Sequence, residues 1–289
     1  MRTETEYMDM VNRALGPQLT ALGSIPERLR DAMLYSLLAG GKRLRPVLLL
    51  AACEMAGGSA EEALPFACAL EMIHTYSLIH DDLPGMDNDD LRRGKPTSHK
   101  VFGEGMAILA GDGLLNGAME TVLTAGLKMQ DLRGLRAAEI LARHAGVTGM
   151  IAGQTLDVTM EGASPTEETV RYIHAHKTAD LIQAPMEMGL TLAGCEPERV
   201  EKGRKYGYHL GIAFQIMDDI MDVTGDAALM GKNPGMDGNK MTWVALKGLD
   251  GARADMKKEI ALAEEAIQDK SWDAAFFVNT ARENLNRVS

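Results

Sequence analysis

Two groups of aspartates are the residues best suited to chemistry in this sequence. The first spans Asp81–Asp90 and places five acids in ten residues, while the second comprises Asp218, Asp219 and Asp222 within an apolar segment. Clustered carboxylates in apolar surroundings need a counter-charge. Mg²⁺ takes only one or two protein carboxylates and completes its shell with water and substrate phosphates. The two clusters therefore predict a magnesium-dependent clamp around a diphosphate.

Both aspartate groups require helices to position them. Apolar residues recur at three- and four-residue spacing over Ser59–Asp82, and a Pro-Gly pair closes this segment, so a helix should end at the first cluster. Asp218 and Asp222 are four residues apart and share one face of a second helix, with Gln215 one turn earlier. The apolar neighbours of this face predict that it points into the protein or a cleft.

Basic residues near the clusters offer partners for phosphate oxygens. Arg92 and Arg93 follow the first cluster directly, and His74 lies seven residues before Asp81 on nearly the same helix face. The segment Gly40–Pro46 reads Gly-Gly-Lys-Arg-Leu-Arg-Pro, in which glycine permits close approach and arginine can hold an oxyanion with two hydrogen bonds. It is not a Walker A loop, because the spacing and the Ser/Thr are absent. Each feature alone also fits a packed histidine or the basic end of a helix.

Four polar residues interrupt helices that are otherwise apolar on the same side. They are Gln154, Asp157, Lys177 and Thr178. A lysine in such a position can simply pack its aliphatic stem and extend its amine to water. The sequence alone leaves the functional and the structural interpretation of these four residues open.

Helical patterns recur along the chain, and strand patterns do not. Further helices are indicated at about 105–127, 132–144, 148–160 and 197–222, with a final pair between about 251 and 287. No turn of the Asn-Gly type separates two alternating segments, and β-branched residues do not cluster. We predict one all-α domain of about ten helices.

Two local segments carry further predictions. In Ser164-Pro165-Thr166-Glu167, Ser164 is expected to cap a helix, with proline at the first helical position and Glu167 completing a capping box. The segment Gly225–Asn239 is rich in Gly, Asp and Met and too long for a tight turn. Loops of this kind often act as lids, which is the role we expect here.

Composition limits the classes of function. Forty-one acidic and 30 basic residues leave a net charge of −11, which argues against nucleic acid or an anionic membrane as partner. No apolar segment has the length of a membrane span, and the first residues lack a signal-peptide core. Three cysteines without a C-x-x-C pair fit a reducing compartment. A cytoplasmic location is therefore expected.

Three motifs together resemble the trans-isoprenyl diphosphate synthase family, most closely its bacterial short-chain members of the farnesyl diphosphate synthase type. They are DDLPGMDNDDLRRGKPTSHKVFGE within Ile73–Gly111, FQIMDD at Phe214–Asp219, and GGKRLRP at Gly40–Pro46. The resemblance covers nearly the whole chain. It implies a single polyprenyl synthase domain over 1–289, folded as an antiparallel helical bundle around a deep central cavity, and a homodimer.

The resemblance also implies which residues hold metal and carry the reaction. Mg²⁺, three ions per site with Mn²⁺ as an alternative, would be held by Asp81, Asp82, Asp87, Asp218 and, at greater distance, Asp222. The catalytic set is Asp81, Asp82, Asp87, Lys177, Thr178, Gln215 and Asp218.

Two diphosphate sites follow from the same resemblance. The allylic diphosphate, dimethylallyl or geranyl, would be bound by Arg92, Lys177, Lys232 and Lys240. The diphosphate of isopentenyl diphosphate would be bound by Lys42, Arg45, His74 and Arg93. Thr178 and Gln215 would line the path of the allylic cation. After the second motif this sequence departs from the family pattern, because the loop between Lys232 and Lys240 is about two residues short.

The activity implied is a head-to-tail 1′-4 condensation that gives farnesyl diphosphate. Tyr76 and Ser77 are the candidate chain-length residues. Tyr76 lies five residues before Asp81, about 7.5 Å along the helix at ~1.5 Å per residue, where a bulky ring would stop the tail at fifteen carbons. If Tyr76 is only a core residue, a geranylgeranyl diphosphate synthase with a twenty-carbon product stays open.

Three other classes of protein fit the sequence less well. A non-catalytic regulatory subunit of the same fold should lack one aspartate cluster, and both are present. A di-iron carboxylate bundle requires Glu-x-x-His pairs on two helices, which the sequence does not contain. A terpene cyclase would be expected to lack the GGKRLRP segment.

Overall fold

The computed structural model describes residues 1–224 and 241–285, which fold almost entirely into helix. The helices are α1 (Glu4–Thr20), α2 (Glu27–Leu37), α3 (Leu44–Met55), α4 (Ala60–Asp81), α5 (Ser98–Phe102), α6 (Glu104–Lys128), α7 (Arg133–Ala145), α8 (Met150–Thr159), α9 (Glu167–Ile173), α10 (Asp180–Leu192), α11 (Pro197–Thr224), α12 (Trp243–Ala266) and α13 (Ala275–Leu285), with a π-helix (His174–Ala179) between α9 and α10. The predicted all-α fold is confirmed. The extent of the domain, 1–289, stays a prediction.

The core is built around α10, whose side chains are buried on every face. It packs against α3, α7 and α11, while α4 packs against α3 and α6. Each 100 Å² of apolar surface removed from water contributes about 2.5 kcal/mol, which favours a position at the centre of the bundle for a helix that is buried on every face. No helix in the described ranges is long and apolar enough to cross a membrane.

Helix α4 delivers the first aspartate cluster to one end of the bundle. Its N-terminus is capped by Ser59, whose hydroxyl accepts a hydrogen bond from the backbone N–H of Glu62. After Asp81 the chain turns back on itself, and the N–H of Asp87 donates to the carbonyl of Asp81 at 2.8 Å. This turn brings Asp87 close to the end of the helix that carries Asp81.

A short β-hairpin follows the first cluster, although the sequence predicted no strands. Strand β1 (Leu91–Arg92) pairs antiparallel with β2 (Lys95–Pro96). The two residues between them, Arg93 and Gly94, have φ values of 53° and 74°, as in a type I′ turn. The strands are two residues long, too short for an alternating pattern to register. The hairpin turns Arg92 and Arg93 back towards α4.

The start of α9 corrects one local prediction. The helix begins at Glu167, and its cap is Thr166, whose side chain accepts from the N–H of Thr169 at 3.2 Å. Ser164 and Pro165 both precede the cap, so the predicted roles for them were wrong by two residues. Thr166 is the N-cap because its hydroxyl accepts from the backbone N–H three residues later, which is the usual capping contact.

Candidate active site

One cavity of about 900 Å³ opens where α4, α8, α11, the π-helix and the β-hairpin converge. Ten of the residues predicted from sequence line it: Arg45, His74, Tyr76, Ser77, Asp81, Arg92, Arg93, Lys177, Thr178 and Asp218. Residues more than 170 positions apart in sequence thus meet around one space. A cavity of this size can enclose a small organic molecule.

Asp81 and Asp82 are adjacent in sequence but differ in their surroundings. Asp81 lines the cavity and accepts a hydrogen bond from Nε2 of Gln154 at 2.9 Å. Burial raises the pKa of its carboxyl to about 6, while the nearby Lys177 ammonium opposes that shift. Asp82 is buried behind the cavity wall, where its Oδ1 lies 2.5 Å from Nη2 of Arg92. In this arrangement Asp82 orients Arg92.

The second cluster divides in a similar way. Asp218 is exposed and lines the cavity, and its charge acts on Arg45 from across that space. Asp219 is buried and forms a junction instead: its Oδ2 accepts from the N–H of Trp243 at 2.6 Å and lies 3.3 Å from Nε2 of His174. Asp222 is also buried and is not part of the cavity wall.

A basic corner lies beside α4, where Nη1 of Arg45 is 3.3 Å from Nε2 of His74. Burial lowers the pKa of Arg45 to about 10, which leaves it charged at neutral pH. Burial, reinforced by the neighbouring Arg45, lowers the pKa of His74 well below its ordinary value. The buried Nε of Arg45 has no hydrogen-bond partner within the described residues, so this corner is suited to receive an anion.

Gly41 explains how Arg93 reaches the same corner. Its φ is 112°, and a Cβ at this position would lie 2.6 Å from the guanidinium carbon of Arg93. The guanidinium also donates to the carbonyl of Gly40. Lys42, by contrast, is exposed and does not line the cavity. Arg43 points into the core and pairs there with Glu71 at 2.6 Å.

The π-helix places two consecutive polar side chains on the cavity wall. The Lys177 ammonium lies 2.5 Å from Oδ2 of Asp157 on α8. The Thr178 hydroxyl donates to Oε1 of Gln215 at 2.6 Å, and Nε2 of Gln215 donates to Asp219 at 3.2 Å. Because an ionised carboxylate only accepts, Asp219 fixes which end of the Gln215 amide faces Thr178.

The rest of the cavity wall is largely apolar. Leu115, Met150, Leu181 and Phe214 contribute to it. Tyr76 is almost fully buried, and its ring packs edge-on against His80 with centroids 5.7 Å apart. A cavity wall that combines charged and apolar side chains suits a molecule with an ionic head and a hydrocarbon tail.

Lys232 and Lys240, two predicted ligands, lie outside the described residues, as does the predicted lid Gly225–Asn239. Their roles stay predictions.

Sequence reasoning assigned no role to several residues that contact the site. Gln154 and Asp157 contact Asp81 and Lys177, and Asp219 holds Gln215. The available signal was a polar residue in an otherwise apolar helix, which Gln154 and Asp157 both display. Only the tertiary contacts reveal which partner each one meets.

The residues present fit a hard divalent cation that binds together with its substrate. No three side chains of the Asp, Glu, His or Cys types form a ready-made metal cluster in residues 1–224 and 241–285. Mg²⁺ does not need one, because it takes few protein carboxylates and accepts substrate phosphate oxygens. Asp81 and Asp218 supply carboxylates to the same cavity, which is the donor set that such an ion requires.

Comparison with known proteins agrees with this geometry. The model of the polyprenyl synthetase family matches residues 26–276. A farnesyl diphosphate synthase from Geobacillus stearothermophilus is 47% identical over 277 residues, covering 93% of this chain and 92% of that protein. The chloroplastic geranylgeranyl pyrophosphate synthase 9 of Arabidopsis thaliana is 47% identical over 266 residues, covering 90% of this chain and 73% of the other.

A solved structure has the same fold over its full length. The crystal structure of a geranyltransferase from Helicobacter pylori, complexed with magnesium and isoprenyl diphosphate, matches with a TM-score of 0.84 at 31% identity. The match covers 100% of this chain and 98% of that one. The resemblance inferred from the three motifs is thus confirmed, and the chain belongs to the polyprenyl synthetase family.

Proposed function

We propose that this protein is a magnesium-dependent prenyltransferase that joins isopentenyl diphosphate to dimethylallyl or geranyl diphosphate and releases farnesyl diphosphate. The observation that carries the proposal is one cavity whose wall combines acidic, basic and apolar side chains. Such a cavity holds two diphosphate heads and shields a hydrocarbon tail from water.

Asp81 and Asp218 are the residues best placed to hold Mg²⁺, with Asp87 beside Asp81 through the turn that joins them. The bound ions would neutralise the allylic diphosphate as it leaves carbon. The number of ions, three, comes from the family resemblance. Asp82 and Asp222, which were also expected to hold the metal, are buried and do not line the cavity; Asp82 contacts Arg92 instead.

Two groups of basic residues would each bind one of the two diphosphates. Arg92, held by Asp82, and Lys177 lie beside the aspartates and are suited to the allylic diphosphate. Arg45, Arg93 and the uncharged His74 form the basic corner described above, which is suited to isopentenyl diphosphate. Lys42 would have to move from its exposed position to contribute.

Departure of the allylic diphosphate leaves a carbocation, which the isopentenyl double bond attacks. Thr178 lines the cavity, and its hydroxyl donates to the amide oxygen of Gln215, which does not itself line it. We expect these two oxygens to face that path. Fixed dipoles of this kind stabilise developing positive charge without reorganising. The proton lost at the end goes, as the family resemblance implies, to the released diphosphate. The apolar wall excludes water that would otherwise quench the cation.

Fifteen carbons is the product length that the position of Tyr76 favours, because its buried ring lies on the cavity wall beside Ser77. The second candidate is geranylgeranyl diphosphate synthase. It is favoured by the similarity to a chloroplastic enzyme of that name. That enzyme and the farnesyl diphosphate synthase are both 47% identical to this chain.

A homodimer is part of the proposal, supported by an exposed apolar face on α6. Leu109, Leu123 and Leu127 on that helix are 53%, 49% and 73% exposed. Several large apolar side chains on one exposed helix face are typical of a protein interface. The expected location of the protein is cytoplasmic.

The direct test supplies purified protein with Mg²⁺, isopentenyl diphosphate and geranyl or dimethylallyl diphosphate. We expect a longer prenyl diphosphate, and chromatography of the dephosphorylated product separates fifteen from twenty carbons. Asp81→Ala and Asp218→Ala should each lower turnover by on the order of 100-fold or more. Asp9→Ala, an exposed position on α1, is the matched control. Absence of product from the unaltered protein would overturn the assignment and favour a non-catalytic subunit.

A further inference from the structure

Helix α8 touches the π-helix so closely that no side chain fits between them. A Cβ at Gly153 would lie 2.1 Å from the backbone nitrogen of Lys177 and 2.7 Å from the carbonyl carbon of His176. Because both are backbone atoms, neither can move aside as a flexible side chain could. The separation between α8 and the π-helix is therefore fixed by direct backbone packing.

From this fixed helix, Gln154 reaches the metal-binding side of the cavity. Its Nε2 donates to Oδ1 of Asp81 at 2.9 Å. Since the carboxylate can only accept, the amide must present its NH₂ group to Asp81 and its oxygen away from it. That oxygen is buried and has no hydrogen-bond partner within the described residues. Gln154 thus leaves the second oxygen of Asp81 for another ligand and keeps an acceptor of its own in the site.

Asp157, one helical turn after Gln154, reaches the diphosphate-binding side. Its Oδ2 lies 2.5 Å from Nζ of Lys177. Residues three apart on an α-helix share a face, so the two polar side chains extend from α8 in the same general direction. A free lysine side chain carries about 2 kcal/mol of rotamer entropy, and this contact selects one orientation of the Lys177 ammonium before substrate arrives.

We propose that Gln154 and Asp157 are positioning residues, with Gln154 holding the Asp81 carboxylate for the metal and Asp157 holding the Lys177 ammonium for the allylic diphosphate. Helix α8 thereby sets the distance between the two kinds of group that grip the leaving diphosphate. This inference rests on the proposed function. It differs from a purely structural role because the two residues act on different ligands.

The test separates metal binding from substrate binding. Gln154→Met keeps the length of the side chain and removes the donor, and Asp157→Ala removes the carboxylate. Binding of Mn²⁺ in the presence of inorganic diphosphate is measured by electron paramagnetic resonance, and KM and kcat are measured separately for the allylic substrate. Gln268→Met and Asp9→Asn, both at exposed positions, are matched controls.

Gln154→Met is expected to weaken Mn²⁺ binding about 10-fold, as loss of a group that orients a metal ligand usually does. Asp157→Ala is expected to bind Mn²⁺ like the unaltered protein, while its kcat/KM for the allylic substrate falls about 10- to 100-fold. Asp157→Asn retains an oxygen for Lys177 and should recover most of that loss. Neither variant should change KM for isopentenyl diphosphate, because Gln154 and Asp157 contact Asp81 and Lys177 rather than the side chains of its predicted corner.

Two results would overturn the inference. Either both variants impair both readouts in proportion to a loss of melting temperature, or neither changes its own readout. Failure of the unaltered protein to bind Mn²⁺ with diphosphate or to form product would overturn the proposed function itself, which is a different and recognisable outcome.

Discussion

Asp81 is held in surroundings that oppose the charge it is proposed to carry. Burial raises the pKa of its carboxyl from 3.8 to about 6. A shift of this size corresponds to about 3 kcal/mol, which the folded protein loses whenever Asp81 is ionised without a cation. The residue is thus suited to binding a cation at the expense of the stability of the metal-free protein.

This cost predicts that Asp81→Asn stabilises the metal-free protein while abolishing turnover. Between pH 3.8 and about 6 the folded state retains a proton that the unfolded state has released. The stability of the unaltered protein therefore falls as pH rises through that window. In EDTA at pH 8, the variant should gain up to about 3 kcal/mol of unfolding free energy, and the gain should vanish near pH 4. Urea unfolding at both pH values measures it; equal stability at pH 8 would contradict the argument.

A second prediction at this scale concerns Tyr76. If its ring stops the growing tail, Tyr76→Ala should lengthen the product by one or more isoprene units, each about one helical turn or ~5.4 Å long. Chromatography of the dephosphorylated products measures the change. Tyr172→Ala, at an exposed position, is the control. An unchanged product distribution would mean that Tyr76 belongs to the core and does not form the floor.

At the scale of the helices, a buried charge network joins α7 to α10. Nδ1 of His144 lies 2.7 Å from Asp180, and its Nε2 lies 3.0 Å from Glu187. Arg143 also contacts Glu187, and His176 of the π-helix contacts Asp180. Burial lowers the pKa of His144, but the hydrogen bonds to both carboxylates outweigh it and raise the pKa overall. The network thus joins the π-helix, through the side chain of His176, to the core.

The network predicts a pH-dependent loss in His144→Gln. A raised histidine pKa stabilises the fold fully below the ordinary value of 6.5, and this contribution is lost as pH rises through the raised value. We expect the variant to lose about 3 kcal/mol at pH 6, with a smaller difference from the unaltered protein at pH 9. Chemical unfolding at the two pH values measures this. His209→Gln, whose ring contacts one carboxylate, Glu259, among the described residues, should lose less; a loss independent of pH would refute the charged state of His144.

Local patterns in the sequence were sufficient for the aspartate clusters and for several helices, among them α4, α6, α7, α8 and α11, because apolar spacing and acidic motifs lie within one segment. They gave no bounds for α1, α3 or the central helix α10. They were insufficient wherever a tertiary contact decides. Asp82 could not be distinguished from Asp81 until Arg92 was seen to hold it. The hairpin at Arg93-Gly94 is too short to give a strand pattern. The need for glycine at position 153 is apparent only from the backbone of Lys177, which packs against it.

At the scale of the whole molecule, the apolar face of α6 predicts assembly. In the proposed homodimer Leu123 would be buried, so Leu123→Glu would place a charge in an apolar interface and should yield monomers. Light scattering coupled to size-exclusion chromatography measures the mass. Leu38→Glu, at a site 48% exposed after α2, is the control. A dimer that survives Leu123→Glu, or an unaltered protein that is monomeric, would exclude α6 as the interface.

The π-helix at His174–Ala179 also has a consequence for the history of this chain. Its hydrogen bonds span five residues instead of four, a geometry that is rare and usually confined to a single turn at a functional site. Such a turn contains one residue more than the α-helical turn it replaces, so it is equivalent to a one-residue insertion in a regular helix. Deleting one residue there would restore a regular helix and rotate Lys177 relative to everything that follows. A lineage that lost that residue would gain a more regular helix and lose the alignment of Lys177 and Thr178 with Gln215.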